Sequence, residues 1–423
     1  MKRKYYSLYS RMLSKQSLYE AFKRVKRNKG APGSDNQSIA MFNDNLDAEI
    51  SHLLLELQEK RYKPLPVKRC FIAKDNGEQR KLGIPAVRDR VVQQALYNIL
   101  EPIFDPDFHP SSYGYRKGRS CHHAISKATM FVRKYGRQWV VNMDLSKCFD
   151  TLNHDIIIEQ FRTKIIDGSI LNLIRKFLES GITIGGQHMH TSLGSPQGGV
   201  ISPLIANVYL NAYDQHMMSR GHRIVRYADD ILVLCCSESA AVNALKVSKE
   251  YLEQNLKLIV NEAKSHVCTS DMGIKFLGVK ILSQYTEIQG KKLQKLKEKV
   301  RVITRVTQGR NLSMVIKELN PILRGFVNYF KIANCKGKTT SIMRWVRRRL
   351  RRFQMKLWKT LKRLHRRLRQ LGYKGKYCWA KMGYWCHAKT PMAHFAMSNR
   401  WLHKEMKLFN MTTVKVGINA SVI

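Results

Sequence analysis

The sequence predicts an α+β fold with more than one domain. The chain has 423 residues, more than one ordinary domain contains. Residues 1–60 carry apolar side chains at helical spacing, whereas residues 61–290 mix helical stretches with short apolar runs bounded by turn residues. The last third, residues 291–423, is strongly basic and carries a long helical stripe of leucines. Together these patterns predict helices, then a mixed region, then a basic helical region.

Local patterns place the individual elements. NKGAPGSDNQ, residues 28–37, predicts a loop between N-terminal helices. CFIA and RKLGI around KDNGE predict a β-hairpin with Asn76-Gly77 at its turn, and helices are predicted around residues 91–100 and 121–135. QWVVNMDLS predicts a strand, and HRIVRYADDILVLCC predicts two short strands with a turn near its aspartates. The apolar stripe of the tail predicts one helix through Leu350, Phe353, Leu357, Leu361, Leu364, Leu368 and Leu371.

Charge indicates a polyanionic partner. The chain has 75 Lys and Arg against 31 Asp and Glu, a net charge of +44, and residues 291–423 contain only three acids. Nucleic acid is the partner that such a balance favours. A solvated helix face normally mixes signs, but residues 340–375 have no acid, so we expect a phosphate-facing helix. The predicted nucleic-acid contacts are Arg347, Arg348, Arg351, Arg352, Lys356, Lys359, Arg363 and Arg366.

Other compositional features argue against export and membrane insertion. The basic N-terminus lacks the apolar segment of a signal peptide, and no apolar run reaches membrane-spanning length. The nine cysteines form no CxxC pair, and the spacing of Cys378, Cys386 and His387 matches no common zinc site. We therefore expect a reduced protein of the cytoplasm.

Two adjacent carboxylates, Asp229 and Asp230, lie in an apolar strand pattern. Ionised carboxylates are rarely buried without a partner, and Mg²⁺ prefers such oxygen ligands. Nucleotide transfer uses two such ions, which requires a further carboxylate; Asp144, after another apolar run, is the candidate. Taken alone, the Asp-Asp pair is also compatible with an ordinary hairpin turn.

The neighbouring motifs decide the interpretation. In order and spacing, the chain resembles the bacterial group II intron reverse transcriptases, also called intron-encoded maturases, and is most similar to the compact class without an endonuclease domain. The motifs that carry this resemblance are APGSD at 31–35, RKLGIP at 80–85 with DRVVQQAL after it, SSYGYRKGRS at 111–120, MDLSKCFDTLNHD at 143–155, GSPQGGVISPLIANVYL at 194–210, RYADD at 226–230, LKLIVNEAKS at 256–265, IKFLG at 274–278 and RGFVNYFK at 324–331.

The resemblance implies a right-hand polymerase with fingers, palm and thumb. Its palm is expected to be an antiparallel sheet, followed by a helical basic thumb and a small C-terminal nucleic-acid-binding domain. The implied domains are an N-terminal extension at 1–60, fingers and palm at 61–290, a thumb or maturase domain at 291–370, and a DNA-binding domain at 371–423.

The resemblance also implies roles for single residues. Asp144, Asp229 and Asp230 would hold two Mg²⁺ ions, with the Leu145 carbonyl as an additional ligand. Lys74 and Arg80 would bind the incoming triphosphate, since phosphate attracts both a point charge and an Arg fork. A further set would act around the nucleotide and primer: Phe149 as the sugar gate, Gln197 near the nascent base pair, Lys264 as general acid, and residues 276–278 at the primer end. Two departures from the family pattern are Cys148 before Phe149 and Ser195 before the PQG motif.

The implied function is RNA-directed DNA synthesis together with help in intron splicing and retrohoming. The implied partners are group II intron RNA, an RNA template with a DNA primer, dNTPs and target DNA. Three alternatives stay open: a maturase that binds RNA without polymerising, a domesticated relative serving DNA repair or defence, and a polymerase making RNA. The intact carboxylates disfavour the first, and Phe149 disfavours the third.

Overall fold

The fold is described from a computed structural model, which describes residues 4–73, 77, 79–196, 198–306 and 309–417. The chain divides into two compact units, Met1–Thr269 and Ser270–Ile423. This division falls inside the predicted fingers-and-palm range, so the IKFLG motif belongs to the second unit. The prediction of an α+β fold with an antiparallel palm sheet is confirmed. None of the helices in the described ranges combines the length and apolar character that crossing a bilayer requires.

The first unit alternates helices and strands. Its helices are α1 Leu8–Met12, α2 Lys15–Arg27, α3 Ile39–Asp44, α4 Leu46–Gln58, α5 Val87–Phe104, α6 Cys121–Arg133, α7 Cys148–Thr151, α8 His154–Arg162, α9 Gly168–Leu178, α10 Ser202–Ser219 and α11 Glu238–Glu250. Its strands are β1 Val67–Ala73, β2 Gln79–Ile84, β3 Trp139–Met143, β4 Ile182–Ile184, β5 Gln187–Met189, β6 Arg223–Tyr227, β7 Asp230–Cys235 and β8 His266–Thr269.

The central sheet of this unit has the order β6-β7-β3-β8, and every neighbouring pair is antiparallel. The sequence pattern of QWVVNMDLS predicts burial of alternate residues, but the inner strands are buried on both faces, with the consecutive Val140 and Val141 and also Ile231 fully inaccessible. In the register, Met143 lies opposite Ile231, so Asp144 emerges from β3 beside the start of β7. The sheet thus brings together carboxylates that are distant in sequence.

A second sheet has the order β2-β1-β4-β5 and contains the predicted hairpin of β1 and β2. The Asn76 position at its turn lies outside the described residues. Strand β1 also pairs in parallel with β4. One hydrophobic core joins the N-terminal helices to the central sheet, because Leu18 and Phe22 belong to the same buried cluster as Val141 and Ile231.

The second unit begins with a three-stranded antiparallel sheet, β9 Ile274–Phe276, β10 Val279–Ile281 and β11 Thr286–Ile288. Its helices are α12 Gly290–Ile303, α13 Leu312–Phe330, α14 Lys336–Trp358, α15 Leu361–Gln370 and α16 Pro391–Ala396. Two hydrogen bonds connect the small sheet to α13 and to the turn after α13. The Tyr329 hydroxyl donates to the Leu277 carbonyl at 3.0 Å, and the Asn334 amide donates to the Thr286 carbonyl at 2.7 Å.

The prediction of one long basic helix is wrong. The stripe is divided between α14 and α15 by Lys359, which has a left-handed φ of 62°. No glycine or proline marks this break in the sequence. The break lets one stripe serve two cores: Leu350 and Phe353 pack with α13, whereas Leu364 and Leu368 pack in a separate cluster around Met392 and Met397.

Candidate active site

A cleft of about 470 Å³ opens at the end of the central sheet. It is lined mainly by polar and charged side chains from four motifs: Gln79, Arg80, Lys81, Asp144, Leu145, Ser146, Lys147, Cys148, Asp150, Asp229, Asn261 and Lys264. Asp144, Leu145, Asp229, Arg80 and Lys264, each predicted separately from its motif, therefore line one space. Asp230 begins β7 next to this wall.

The aspartates are crowded together. The Asp230 side chain still reaches solvent at the edge of the sheet, but desolvation by the surrounding protein atoms, followed by the charges of Asp229 and Asp144, raises its pKa from 3.8 to about 7. Burial also raises the pKa of Asp229, and the Asp144 charge raises it further, partly offset by Arg80 and Arg226. Carboxylates that oppose each other's ionisation in this way are stabilised by a cation placed among them.

Asp144 is held from the segment 260–265. Its Oδ2 lies 3.2 Å from the Lys264 ammonium nitrogen and accepts a bond from the Asn261 amide at 3.3 Å. The Asn261 backbone amide donates to the Asp144 carbonyl at 2.9 Å, and Leu145 forms a bridge with Val260. The LKLIVNEAKS motif thus positions the first aspartate from the side. Asn261 is a site residue that the sequence analysis did not single out.

A buried ion pair supports the turn between β6 and β7. Arg226 and Asp214 both have fully inaccessible side chains, and Arg226 Nη2 lies 2.6 Å from Asp214 Oδ2. Arg226 Nη1 donates to the Ala228 carbonyl at 3.1 Å and to Asn207 Oδ1 at 3.1 Å. Ala228 precedes the two aspartates and has a left-handed φ of 58°. The arginine of the RYADD motif therefore fixes the turn that presents Asp229, a role that only a charge inside an apolar strand pattern hinted at.

The segment SSYGYR packs directly on this turn. Ser112 forms a parallel bridge with Arg226, and the Tyr113 amide donates to the Arg226 carbonyl at 2.9 Å. A Cβ on Gly114 would lie 2.3 Å from the Ala228 nitrogen, so only glycine allows this approach. This places Tyr115, which the sequence analysis did not single out, beside the cleft.

Of the other residues predicted to contact the nucleotide, the structure describes only some. Phe149 lies in α7 with a partly exposed side chain, and its ring meets the Tyr115 ring edge-on at 6.2 Å between centroids. Lys74 and Gln197 lie outside the described residues. Next to Gln197, Gly198 has φ 117° and an added Cβ would lie 2.2 Å from the Gly83 carbonyl oxygen, so this loop is closely packed on β2.

The donor chemistry suits a hard divalent cation. Three carboxylates and a backbone carbonyl are oxygen ligands of the kind Mg²⁺ prefers. Within the described ranges, no group of three or more His, Cys, Asp and Glu side chains already has the arrangement of a metal site. Asp144 instead contacts Lys264 through its Oδ2 oxygen.

The basic residues of the second unit have two different environments. Arg351 is only 2 % exposed and donates to the Met397 carbonyl and Asn399 Oδ1, each at 2.9 Å, so the prediction that it contacts nucleic acid is wrong. Burial, together with the charge of Arg347, lowers the pKa of Arg351 to about 10. Arg348 covers the Trp385 ring at 4.0 Å and Arg352 donates to the Gly383 carbonyl at 2.7 Å.

These arginines are used to attach the C-terminal segment to α14. Arg347 makes a further contact of this kind with His403 Nε2 at 3.2 Å. The predicted nucleic-acid contacts that have exposed side chains are Lys356, Lys359, Arg363 and Arg366.

The chain matches two protein families in succession. Residues 72–281 match the family described as reverse transcriptase (RNA-dependent DNA polymerase), and residues 293–372 match the group II intron maturase-specific domain. Protein YkfC of Escherichia coli (strain K12) is 35% identical over 314 residues, which are 64% of this chain and 82% of that protein. The group II intron-encoded protein LtrA of Lactococcus lactis subsp. cremoris is 36% identical over 216 residues, 50% of this chain and 35% of LtrA.

The sheet with its carboxylate cleft and the first family match define a nucleotide polymerase of the reverse transcriptase class. The chain belongs to the bacterial group II intron reverse transcriptase and maturase family. It is accordingly an RNA-directed DNA polymerase with a maturase domain, and reverse transcriptases of this kind depend on metal ions. Its partners include nucleic acid, intron RNA among them.

Proposed function

We propose that the cleft copies RNA into DNA with two Mg²⁺ ions held by Asp144, Asp229, Asp230 and the Leu145 carbonyl. The observation that carries this proposal is the convergence of the three aspartates, two of which have pKa values raised first by desolvation and then by the charges of their neighbours. When bound, the ions would supply activation of the primer 3′-hydroxyl and stabilisation of the departing pyrophosphate.

The chain's own side chains then bind and select the nucleotide. Arg80 on β2 faces the cleft and binds the triphosphate, with Lys74 as its expected partner. Phe149 packs under the sugar and excludes a 2′-hydroxyl. Lys264, which is 60 % exposed, leaves Asp144 and donates to the leaving pyrophosphate. The motifs imply two further roles, Gln197 at the new base pair and residues 276–278 at the primer end.

The proposed domains are those implied by the motifs: an extension at 1–60, fingers and palm at 61–290, thumb at 291–370 and a DNA-binding domain at 371–423. The two family matches, residues 72–281 and 293–372, support the middle two. Binding of the parent intron RNA during splicing and of target DNA during retrohoming would use the exposed Lys356, Lys359, Arg363 and Arg366, because phosphate contacts dominate such binding.

Primer extension tests the polymerase. A DNA primer on an RNA template is incubated with the protein, Mg²⁺ and dNTPs, and Asp229→Asn is compared with wild type. Asp155→Asn is the matched control, because Asp155 is 80 % exposed and is not among the residues that line the cleft. Full-length cDNA from wild type and the control, with none from Asp229→Asn, supports the proposal. Tight RNA binding without cDNA from wild type would instead favour a maturase that does not polymerise.

A further inference from the structure

Tyr115 has an unusual backbone for its residue type. It is 50 % exposed and has a φ of 59°, in the left-handed region that bulky residues rarely adopt. Such strain persists only where the surroundings impose it, and it is concentrated at functional sites. A tyrosine held in this way beside the polymerase cleft calls for a physical reason.

Contacts of the residues before and after Tyr115 hold its backbone in this conformation. Before Tyr115, Asn207 Nδ2 donates to the Gly114 carbonyl at 2.9 Å, and Gly114 is pressed against Ala228 of the aspartate turn. After it, Arg116 is buried and donates to Asp105 Oδ1 at 2.6 Å. Two anchored neighbours restrain the Tyr115 backbone, which limits the directions that its ring can take.

The Tyr115 ring contacts the ring of Phe149. The two ring centroids are 6.2 Å apart with an interplanar angle of 81°, which is the edge-to-face geometry that aromatic pairs prefer. Phe149 is itself placed between Cys148 and Asp150, which both line the nucleotide cleft. Its carbonyl also accepts a bond from the Ser195 amide at 2.7 Å. The Tyr115 ring therefore supports the Phe149 side chain, whose own backbone is fixed.

The charges of the active site also affect the pKa of Tyr115. Its pKa is raised mainly by burial and then by Asp229, and Arg80 offsets this in part. Tyr115 further lines a second cleft of about 560 Å³ with Arg27 and Gly199. The Tyr115 ring thus lines this second cleft and also contacts the Phe149 ring.

We propose that Tyr115 is a positioning residue that holds the Phe149 ring against the nucleotide sugar and so sets the discrimination against ribonucleotides. This inference rests on the proposed role of Phe149 as the sugar gate. If Phe149 excludes the 2′-hydroxyl by contact, a ring free to rotate excludes it less well. Loss of an edge-to-face partner should weaken discrimination by about two- to tenfold, the range such a pair contributes.

The experiment measures kcat and KM for dATP and ATP opposite a template uridine. The variants are Tyr115→Asn, chosen because Asn tolerates a left-handed φ, Tyr115→Phe, which keeps the ring, Phe149→Ala, and the double variant Tyr115→Asn/Phe149→Ala. Tyr135→Asn is the control, since Tyr135 is equally exposed at 52 % and lines neither cleft.

We expect Tyr115→Asn to lower the KM for ATP and to leave kcat for dATP within about twofold. Tyr115→Phe and Tyr135→Asn should retain wild-type discrimination. The double variant should discriminate no worse than Phe149→Ala alone, because the tyrosine acts through the phenylalanine.

Two results would overturn the inference in distinguishable ways. If Phe149→Ala admits ribonucleotides and Tyr115→Asn does not, or if their effects are additive, Tyr115 does not act through Phe149 while the gate itself stands. If Phe149→Ala leaves sugar preference unchanged, the gate proposal fails and this inference fails with it. Should Tyr115→Asn not fold, Tyr115→Gly, which adopts a left-handed φ without steric cost, replaces it in the same comparison.

Discussion

The ammonium nitrogen of Lys264 lies 3.2 Å from Oδ2 of Asp144, the first of the three cleft carboxylates. The ammonium group therefore supplies a positive charge next to this carboxylate. Because Lys264 is largely exposed, its attraction for Asp144 is weak and can be exchanged. The pair gives Asp144 a partner before metal and nucleotide arrive.

Replacing Lys264 by Gln should lower the Mg²⁺ concentration that gives half-maximal primer extension. The ammonium group competes with the metal for Asp144, and an exposed pair is worth about 0.2–1 kcal/mol, which corresponds to a shift of up to about fivefold. Turnover at saturating Mg²⁺ reports separately on proton donation by Lys264. Lys249→Gln is the control, since Lys249 pairs with exposed Glu262. An unchanged half-maximal concentration would contradict competition for Asp144.

The crowded aspartates predict a pH-dependent stability in the absence of metal. The pKa of Asp230 rises from 3.8 to about 7 on folding, so between these values the folded chain binds more protons than the unfolded chain. The free energy of unfolding should therefore fall as pH rises from about 4 to about 7 and level off above the folded-state pKa. In EDTA, the advantage in Tm of Asp230→Asn over wild type should grow across this window and vanish at its acidic end.

Adding Mg²⁺ at pH 8 should remove most of that difference, because the ion neutralises the ionised carboxylates that Asp230→Asn lacks. Thermal unfolding of wild type, Asp230→Asn and the exposed-site control Asp155→Asn, each with EDTA or Mg²⁺, makes the comparison. A wild-type Tm that runs parallel to that of Asp230→Asn at every pH would show that Asp230 ionises normally in the folded protein.

Breaking the Arg226–Asp214 pair should cost far more stability than removing an exposed charge from the same strand. Both side chains are inaccessible, and a charge left buried without its partner costs about 3–5 kcal/mol. Arg226→Met and Asp214→Asn are measured by urea unfolding against Arg223→Met, which changes an exposed residue of β6. Primer extension should fail as well, because Arg226 holds the Ala228 carbonyl. Equal losses for Arg223→Met and Arg226→Met would argue against this role.

Substitution of a buried and of an exposed arginine in the basic helices should affect stability and RNA binding separately. Arg351→Ala should lower Tm, because its guanidinium bonds Met397 and Asn399 inside the unit. Arg366→Ala should leave Tm unchanged and reduce the slope of log affinity against log salt by about 1, as expected for one lost phosphate contact. Fluorescence anisotropy with a structured RNA over a salt series measures the slope. The assignment fails if Arg351→Ala changes the slope while Tm stays constant.

Much of the site can be predicted from the sequence because short-range patterns specify where its residues lie. Asp144 follows a run of strand residues, and Asp229 with Asp230 fills a turn between two such runs, so motif and alternation place them on neighbouring strand ends. The hairpin of β1 and β2 is equally local, since Asn-Gly is a turn signal. Its Arg80 lines the cleft as expected.

Other features depend on contacts between distant segments. The helix break at Lys359 has no glycine or proline to announce it; it arises because the two halves of one stripe pack in different cores. Arg351 carries the same charge pattern as its exposed neighbours, and only Met397 and Asn399, more than 40 positions away, make it an internal residue.

The sequence by itself determined the class of protein, the three carboxylates and the basic character of the last third, because residue type and short-range spacing specify them. Tertiary structure alone decided which cations are buried, how Arg226 supports the aspartate turn, and that Tyr115 meets Phe149. Each of these depends on a partner brought close by folding, such as Asp214 or Asn207, and the free energy of a buried contact belongs to the pair and to its exclusion from water.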